Sequence, residues 1–145
     1  MNVARGAGAV ALAVLACGRG DACGPVSASG DGFEVTVTPE GGCGGRTWRA
    51  DVSFADGRTQ ALAGDRAGEI RAVMIGDFSG DSMPDLVITV APGRVFGFRR
   101  QGGIFFGREL PPPPGQGSLV LRAGRLESGG AQWDPVAGIW VPARR

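Results

Sequence analysis

The sequence predicts an all-β fold, a small antiparallel β-sandwich or barrel of about nine short strands with no long helix. Three observations predict it. Short segments alternate apolar and polar residues with β-branched or aromatic side chains. Turn signals separate them at close intervals, in a chain with Gly 27 and Pro 10 among 145 residues. No stretch carries a sustained helical period. Residues 33–38 alternate and are β-branched. Residues 47–54 alternate with Trp48, Val52 and Phe54 on one face. Asp56-Gly57 is a hairpin signal, after which 59–62 returns. Residues 69–75 form the next strand and lead into an acidic turn. Residues 86–90 leave that turn as a continuous apolar run, the pattern of a central strand. Ala91-Pro92-Gly93 breaks it. Residues 94–98 and 104–106 make a hairpin about Gln101-Gly-Gly103. Residues 118–121, 125–127 and 138–141 complete the set. The length suits one domain, placed at 32–145.

Residues 1–16 read as a signal peptide. Arg5 precedes the apolar run from Ala7 to Ala16, which is too short to span a bilayer as a helix. The run ends in Val14-Leu15-Ala16-Cys17, which resembles the lipobox of bacterial lipoproteins. That resemblance implies lipid on Cys17, an exported periplasmic or outer-membrane location, and membrane attachment through the lipid alone. Cleavage by ordinary signal peptidase after Ala16 or Ala22 is the alternative. Residues 17–31, rich in Gly, Ser and Asp, read as a lipidated, flexible tether. With Cys17 lipidated, Cys23 and Cys43 remain as a pair for a disulfide in an oxidising compartment. Pairing of Cys17 with one of them is the alternative. Arg19-Gly-Asp21 is read as a chance tripeptide.

Composition excludes several functions. The chain has no His and no Tyr, so a Ser-His-Asp or Cys-His catalytic arrangement and a His-based zinc site are ruled out. All basic residues are Arg, the formal net charge is +1, and no basic stripe marks a nucleic-acid partner. A non-enzymatic protein is the expectation. Pro111–Pro114 reads as a stiff connector. Trp48, Trp133 and Trp140 read as packing residues rather than a sugar platform.

The chemistry concentrates in Asp77-Phe-Ser-Gly-Asp-Ser-Met-Pro-Asp85. Asp77, Ser79, Asp81 and Asp85 occupy positions one, three, five and nine of a tight turn. Alternate side chains of such a turn converge, and oxygen-only ligation suits calcium. The segment resembles the calcium turn of FG-GAP and VCBS repeats, D-x-[DN]-G-D-G-x-x-D ahead of a buried strand. The resemblance implies side-chain oxygens from Asp77, Ser79, Asp81 and Asp85, with the carbonyl of Met83 as a further ligand, around a structural calcium ion. Ser79 stands where that pattern has Asn or Asp. Ser82 stands where it has Gly, so a left-handed backbone there costs about 1 kcal/mol. A metal-free turn, its carboxylates accepting backbone N–H groups, is the alternative reading. One such turn cannot supply the blades of a propeller.

A second resemblance is to the invertebrate-type lysozyme inhibitor family of small exported β-sandwiches. It rests on Gly76–Asp85, the strand 86–90, the hairpin 93–106, the prolines 111–114 and Gly124-Arg-Leu126. That family's inhibitory loop has a Ser-Gly-x-x-Tyr pattern, where this chain has Ala91-Pro-Gly-Arg-Val95. Three functions follow as expectations. The first is an exported lipoprotein acting as an envelope interaction module with an unidentified protein or cell-wall partner. The second is a periplasmic lysozyme inhibitor presenting Arg94, or Arg99 and Arg100, to an enzyme's carboxylates. The third is a metal-dependent hydrolase built on Asp77, Asp81 and Asp85.

Overall fold

The computed structural model of the chain describes residues 14–15, 23–30, 32–66, 68–114, 119–122 and 124–143. Most of the leader, Cys17 and residues 19–21 lie outside them. Among the described residues there are thirteen strands: β1 (Val14–Leu15), β2 (Val26–Gly30), β3 (Phe33–Glu40), β4 (Thr47–Phe54), β5 (Thr59–Asp65), β6 (Ile70–Gly76), β7 (Asp85–Val90), β8 (Arg94–Gln101), β9 (Ile104–Leu110), β10 (Leu119–Arg122), β11 (Arg125–Ser128), β12 (Ala131–Asp134) and β13 (Ile139–Pro142). A 3-10 turn, Gly42–Gly44, lies between β3 and β4. All pairings are antiparallel. They make a front sheet β2-β3-β4-β5, a central sheet β1-β6-β7-β8-β9 and a back sheet β10-β11-β12-β13.

The three sheets stack as layers because the central strands are apolar on both faces. Val73, Ile75, Leu86, Ile88, Phe96, Phe98 and Phe105 join Val35, Val37, Trp48, Val52 and Phe54 of the front sheet in one core. Met74, Val87, Val95 and Leu110 point the other way, with Phe78, and meet Leu121, Leu126 and Trp133 of the back sheet. This explains the apolar character of β7, in which every residue but the half-buried Thr89 is buried. β4 has one free face, and its burial alternates along the whole strand.

All-β architecture agrees with the expectation, but the strand count exceeds it. Val26–Gly30 falls in the segment read as a tether and is a strand instead, pairing with β3 from Val26↔Val37 to Gly30↔Phe33. Its small residues hide a clear alternation, in which Val26 and Ala28 are buried and Ser27 and Ser29 are exposed. β12 was likewise not apparent in the sequence. The two-residue β1 lies within the leader and pairs Val14 with Val73 and Leu15 with Ala72. Trp48 is fully buried, and Trp133 and Trp140 stack edge to face at 5.4 Å, with the Trp140 Nε1–H donating to the Pro111 carbonyl at 2.7 Å. The tryptophans therefore pack, as expected.

Two polar side chains tie the layers together. Gln60 on β5 reaches the free edge of β9: its Nε2 donates to the Phe105 carbonyl at 2.9 Å, and its Oε1 accepts the Phe105 N–H at 2.8 Å. Arg66, 3% exposed, donates to the carbonyls of Thr47, Gly68, Glu40 and Gly42. Neither residue stood out in the sequence, because their partners are backbone atoms, all but the Gly68 carbonyl distant along the chain.

Candidate metal centre

β6 and β7 pair in register from Ala72↔Thr89 to Gly76↔Asp85, so the residues between them must reverse within the width of one strand pair. That closure forces the acidic residues together. One carboxylate oxygen from each of Asp77, Asp81 and Asp85 can be chosen so that all lie within 4.8 Å of one another. Asp81 is exposed, Asp77 half-buried and Asp85 fully buried.

A hydrogen-bond net builds the turn. Asp85 Oδ2 accepts the backbone N–H of Phe78 at 3.0 Å and of Ser79 at 3.2 Å, and the Ser79 hydroxyl at 2.9 Å. Asp85 Oδ1 accepts the N–H of Arg100 at 3.2 Å, which fastens the turn to β8. Asp77 Oδ1 accepts from the amides of Ser79 and Gly80, and its Oδ2 from the amide of Ser82 at 2.8 Å. Asp81 Oδ1 accepts the Met83 N–H at 3.0 Å. These bonds are the carboxylate-to-amide contacts that a metal-free turn would use. They also leave lone pairs on Asp77 Oδ2, Asp85 Oδ1 and both Asp81 oxygens. The Ser79 hydroxyl points its proton at Asp85, which keeps its own lone pairs for a cation. The donor set is all oxygen and carries three negative charges, which fits a hard divalent ion.

Burial pushes the Asp85 carboxyl up to about 6, against the amides of Arg100 and Phe78 and the Ser79 hydroxyl, which hold it down; the charge of Asp81 pushes the same way as burial. A carboxylate in this position gains from any nearby positive charge. Arg99 offers a distant one, its Nη2 lying 3.9 Å from Asp81 Oδ2 in an exposed pair.

The backbone departs from ideality where the sequence does. Ser82 has φ 67°, a left-handed conformation that no other non-glycine residue adopts among the described residues. Gly80 has φ 83° and suffers no such penalty. Because the Ser82 side chain is exposed and its N–H is what the turn uses, Ser82→Gly is expected to raise stability by about 1 kcal/mol. Thermal melts of the two proteins check this, and an unchanged or lower midpoint would contradict it.

The structure scatters the arginines proposed as an interaction surface. Arg94 forks onto Glu109, Nε to Oε2 at 2.7 Å and Nη2 to Oε1 at 2.6 Å, and also reaches Asp65 at 3.3 Å. Glu109 is held below its usual carboxylate range by that hydrogen-bonded guanidinium, and Arg94 is raised in turn. Arg100 turns inward, its guanidinium carbon 4.9 Å from the Phe54 ring centroid, 5.5 Å from Phe33 and 5.9 Å from Phe105. Arg99 alone of the three is exposed beside the acidic turn. Of the ligands expected from the resemblance, the structure brings together Asp77, Ser79, Asp81 and Asp85. Met83 joins the net through its N–H. The expected disulfide joins Cys23 to Cys43. Comparison with known proteins returns no match among protein families, curated proteins or solved structures.

Proposed function

We propose that the protein is an exported, non-enzymatic β-sandwich whose Asp77–Asp85 turn is stabilised by calcium, and that it acts as a binding module at the cell envelope. The observation that carries this reading is the convergence of three carboxylates, within 4.8 Å, at the mouth of the doubly buried strand β7. Three acids in so small a volume repel one another, and among the described residues no basic side chain is hydrogen-bonded to the fully buried Asp85, whose donors are backbone amides and a hydroxyl. A divalent cation answers both costs. The Cys23–Cys43 disulfide supports the exported location, since such bridges persist in oxidising compartments. The ion's role is structural: it would join β6, β7 and, through Asp85 and Arg100, β8. A lysozyme-inhibiting role asks Arg94 to meet an enzyme's carboxylates, and Glu109 and Asp65 already engage it.

The test is a melt of the protein in calcium and then in excess chelator. Extracellular calcium sites bind in the range of roughly 0.1–1 mM, so 10 mM calcium is expected to add about 1.5–2.5 kcal/mol by mass action. For a chain of this size that lifts the midpoint by roughly 4–8 °C. A midpoint that ignores both calcium and chelator discards the metal.

A further inference from the structure

Four glycines flank Cys43: Gly41, Gly42, Gly44 and Gly45, the first two at φ 80° and 68°. A segment of this composition loses unusually much backbone entropy when it is ordered. It must therefore be held, and three ties hold it. The Gly45 N–H donates to the Gly42 carbonyl at 3.1 Å, the Cys23–Cys43 bridge anchors its centre to the start of β2, and Arg66 grips it from inside.

Arg66 depends on that turn in return. Its Nε donates to the Thr47 carbonyl at 2.8 Å and its Nη1 to the Gly68 carbonyl at 3.1 Å. Its Nη2 donates to the carbonyls of Glu40, at 3.2 Å, and Gly42. Arg66 is 3% exposed, and these four acceptors are neutral backbone oxygens rather than a carboxylate. A buried cation held this way is stable only while its acceptors stay in place. One of them, the Gly42 carbonyl, belongs to the glycine turn, and a second, Glu40, is the β3 residue that leads into it.

We propose that the Cys23–Cys43 disulfide is a redox-sensitive lock on the buried Arg66. Closing the lock transfers two electrons and two protons from the Cys23 and Cys43 thiols to an external disulfide, which leaves as two thiols; a dithiol reductant reverses the step. With the bridge open, chain entropy draws the glycine turn outward. The Gly42 carbonyl leaves Nη2, and water enters to solvate the stranded cation. The opening spreads along the groups that flank Arg66: its own N–H, bonded to the Arg46 carbonyl at 2.8 Å, and Gly68, which lies against Ala91. This seam is at the Val90 end of β7, whereas the acidic turn is at its Asp85 end. The lock does not depend on whether that turn binds calcium.

Hydrogen exchange on the full chain, oxidised and after reduction by a dithiol, tests the lock directly. The amides of Gly45, Arg66 and Ala91 are expected to exchange at least ~10-fold faster on reduction, with the amides of Phe78 to Met83 unchanged. Acceleration confined to 41–45, or equal throughout the chain, overturns the proposal. A second measurement compares the unaltered protein with Arg66→Met, which keeps an apolar stem and removes the cation. Loop closure alone predicts that reduction lowers the folding constant of the Met variant by about 100-fold. The unaltered protein is expected to lose at least ~10-fold more, because it also strands a charge. Equal losses in the two proteins refute the coupling. If the Met variant does not fold, the exchange pattern of the unaltered protein decides.

Discussion

Asp85→Asn is expected to destabilise the calcium-free protein by about 3 kcal/mol and to abolish the calcium-dependent rise in melting temperature. Asp85 receives four donors, three on Oδ2 and one on Oδ1. An amide offers one oxygen and turns an N–H₂ toward the remaining donors, so at least one buried N–H of Phe78, Ser79 or Arg100 loses its acceptor. The Arg100 bond is the tie to β8, and its loss loosens the turn from the central sheet. Urea unfolding with chelator reads the first effect and melts in calcium read the second. A variant that unfolds like the parent protein would show that the carboxylate does not organise the turn.

The same residue sets a pH dependence. Asp85 titrates near 6 in the folded protein and near 4 in the unfolded chain. Between those values the folded state binds more protons, so the stability of the calcium-free protein falls as pH rises from about 4 to about 6. The full change is about 3 kcal/mol, and the Asn variant lacks it. Its deficit relative to the parent is therefore larger at pH 5 than at pH 7. Glu109 works in the opposite sense, since its carboxyl is lowered and its contribution is lost on acidification. That contribution is common to both proteins and cancels in the comparison. Calcium removes the slope from the parent by taking the proton's place.

Trp48→Ala is expected to cost about 4 kcal/mol, the range for deleting a large buried aromatic. Trp48 has no exposed surface and lies edge-on to Phe96 at 5.1 Å and Phe98 at 6.2 Å, so it joins the front sheet to β8. Gly64 on β5 is opposite it in register, and a Cβ there would lie 2.6 Å from the indole. Gly64→Ala alone should thus cost about 1–3 kcal/mol by overpacking. In the double variant the indole is gone, and the alanine at 64 should cost little or even fill part of the cavity. Denaturant melts of the four proteins measure the coupling, and strict additivity would mean that residues 48 and 64 do not meet.

The parts of this architecture that could be read from the sequence are those whose signal is local. β4 was legible over its whole length because each second residue from Trp48 to Phe54 is buried. β7 was legible as central because the two cores take up Leu86, Ile88 and Val90 on one face and Val87 on the other. The aspartate spacing was legible because a turn between paired strands has few conformations that fit. β2 was missed because Ser, Ala and Gly carry little hydrophobic contrast, although their alternation is intact. The back sheet was read as more strands rather than a third layer, since nothing in 118–141 says which face of which sheet it covers. Arg66 and Gln60 were missed for a different reason. Apart from the Gly68 carbonyl, their partners are carbonyls and an amide 19 to 45 residues away, and backbone atoms leave no trace in the identity of the residues that bear them. Arg100 was read as one of a surface pair, but its register opposite Phe105 turns it into the aromatic cluster.

Gln60 has a consequence beyond joining two layers. β9 is the last strand of its sheet, and an outermost strand with bare amides and carbonyls is a template on which a neighbouring molecule can grow. At Phe105 the carboxamide occupies both groups at once, standing in for the strand that a second molecule would otherwise provide. One side chain thereby closes that position of the border to strand pairing.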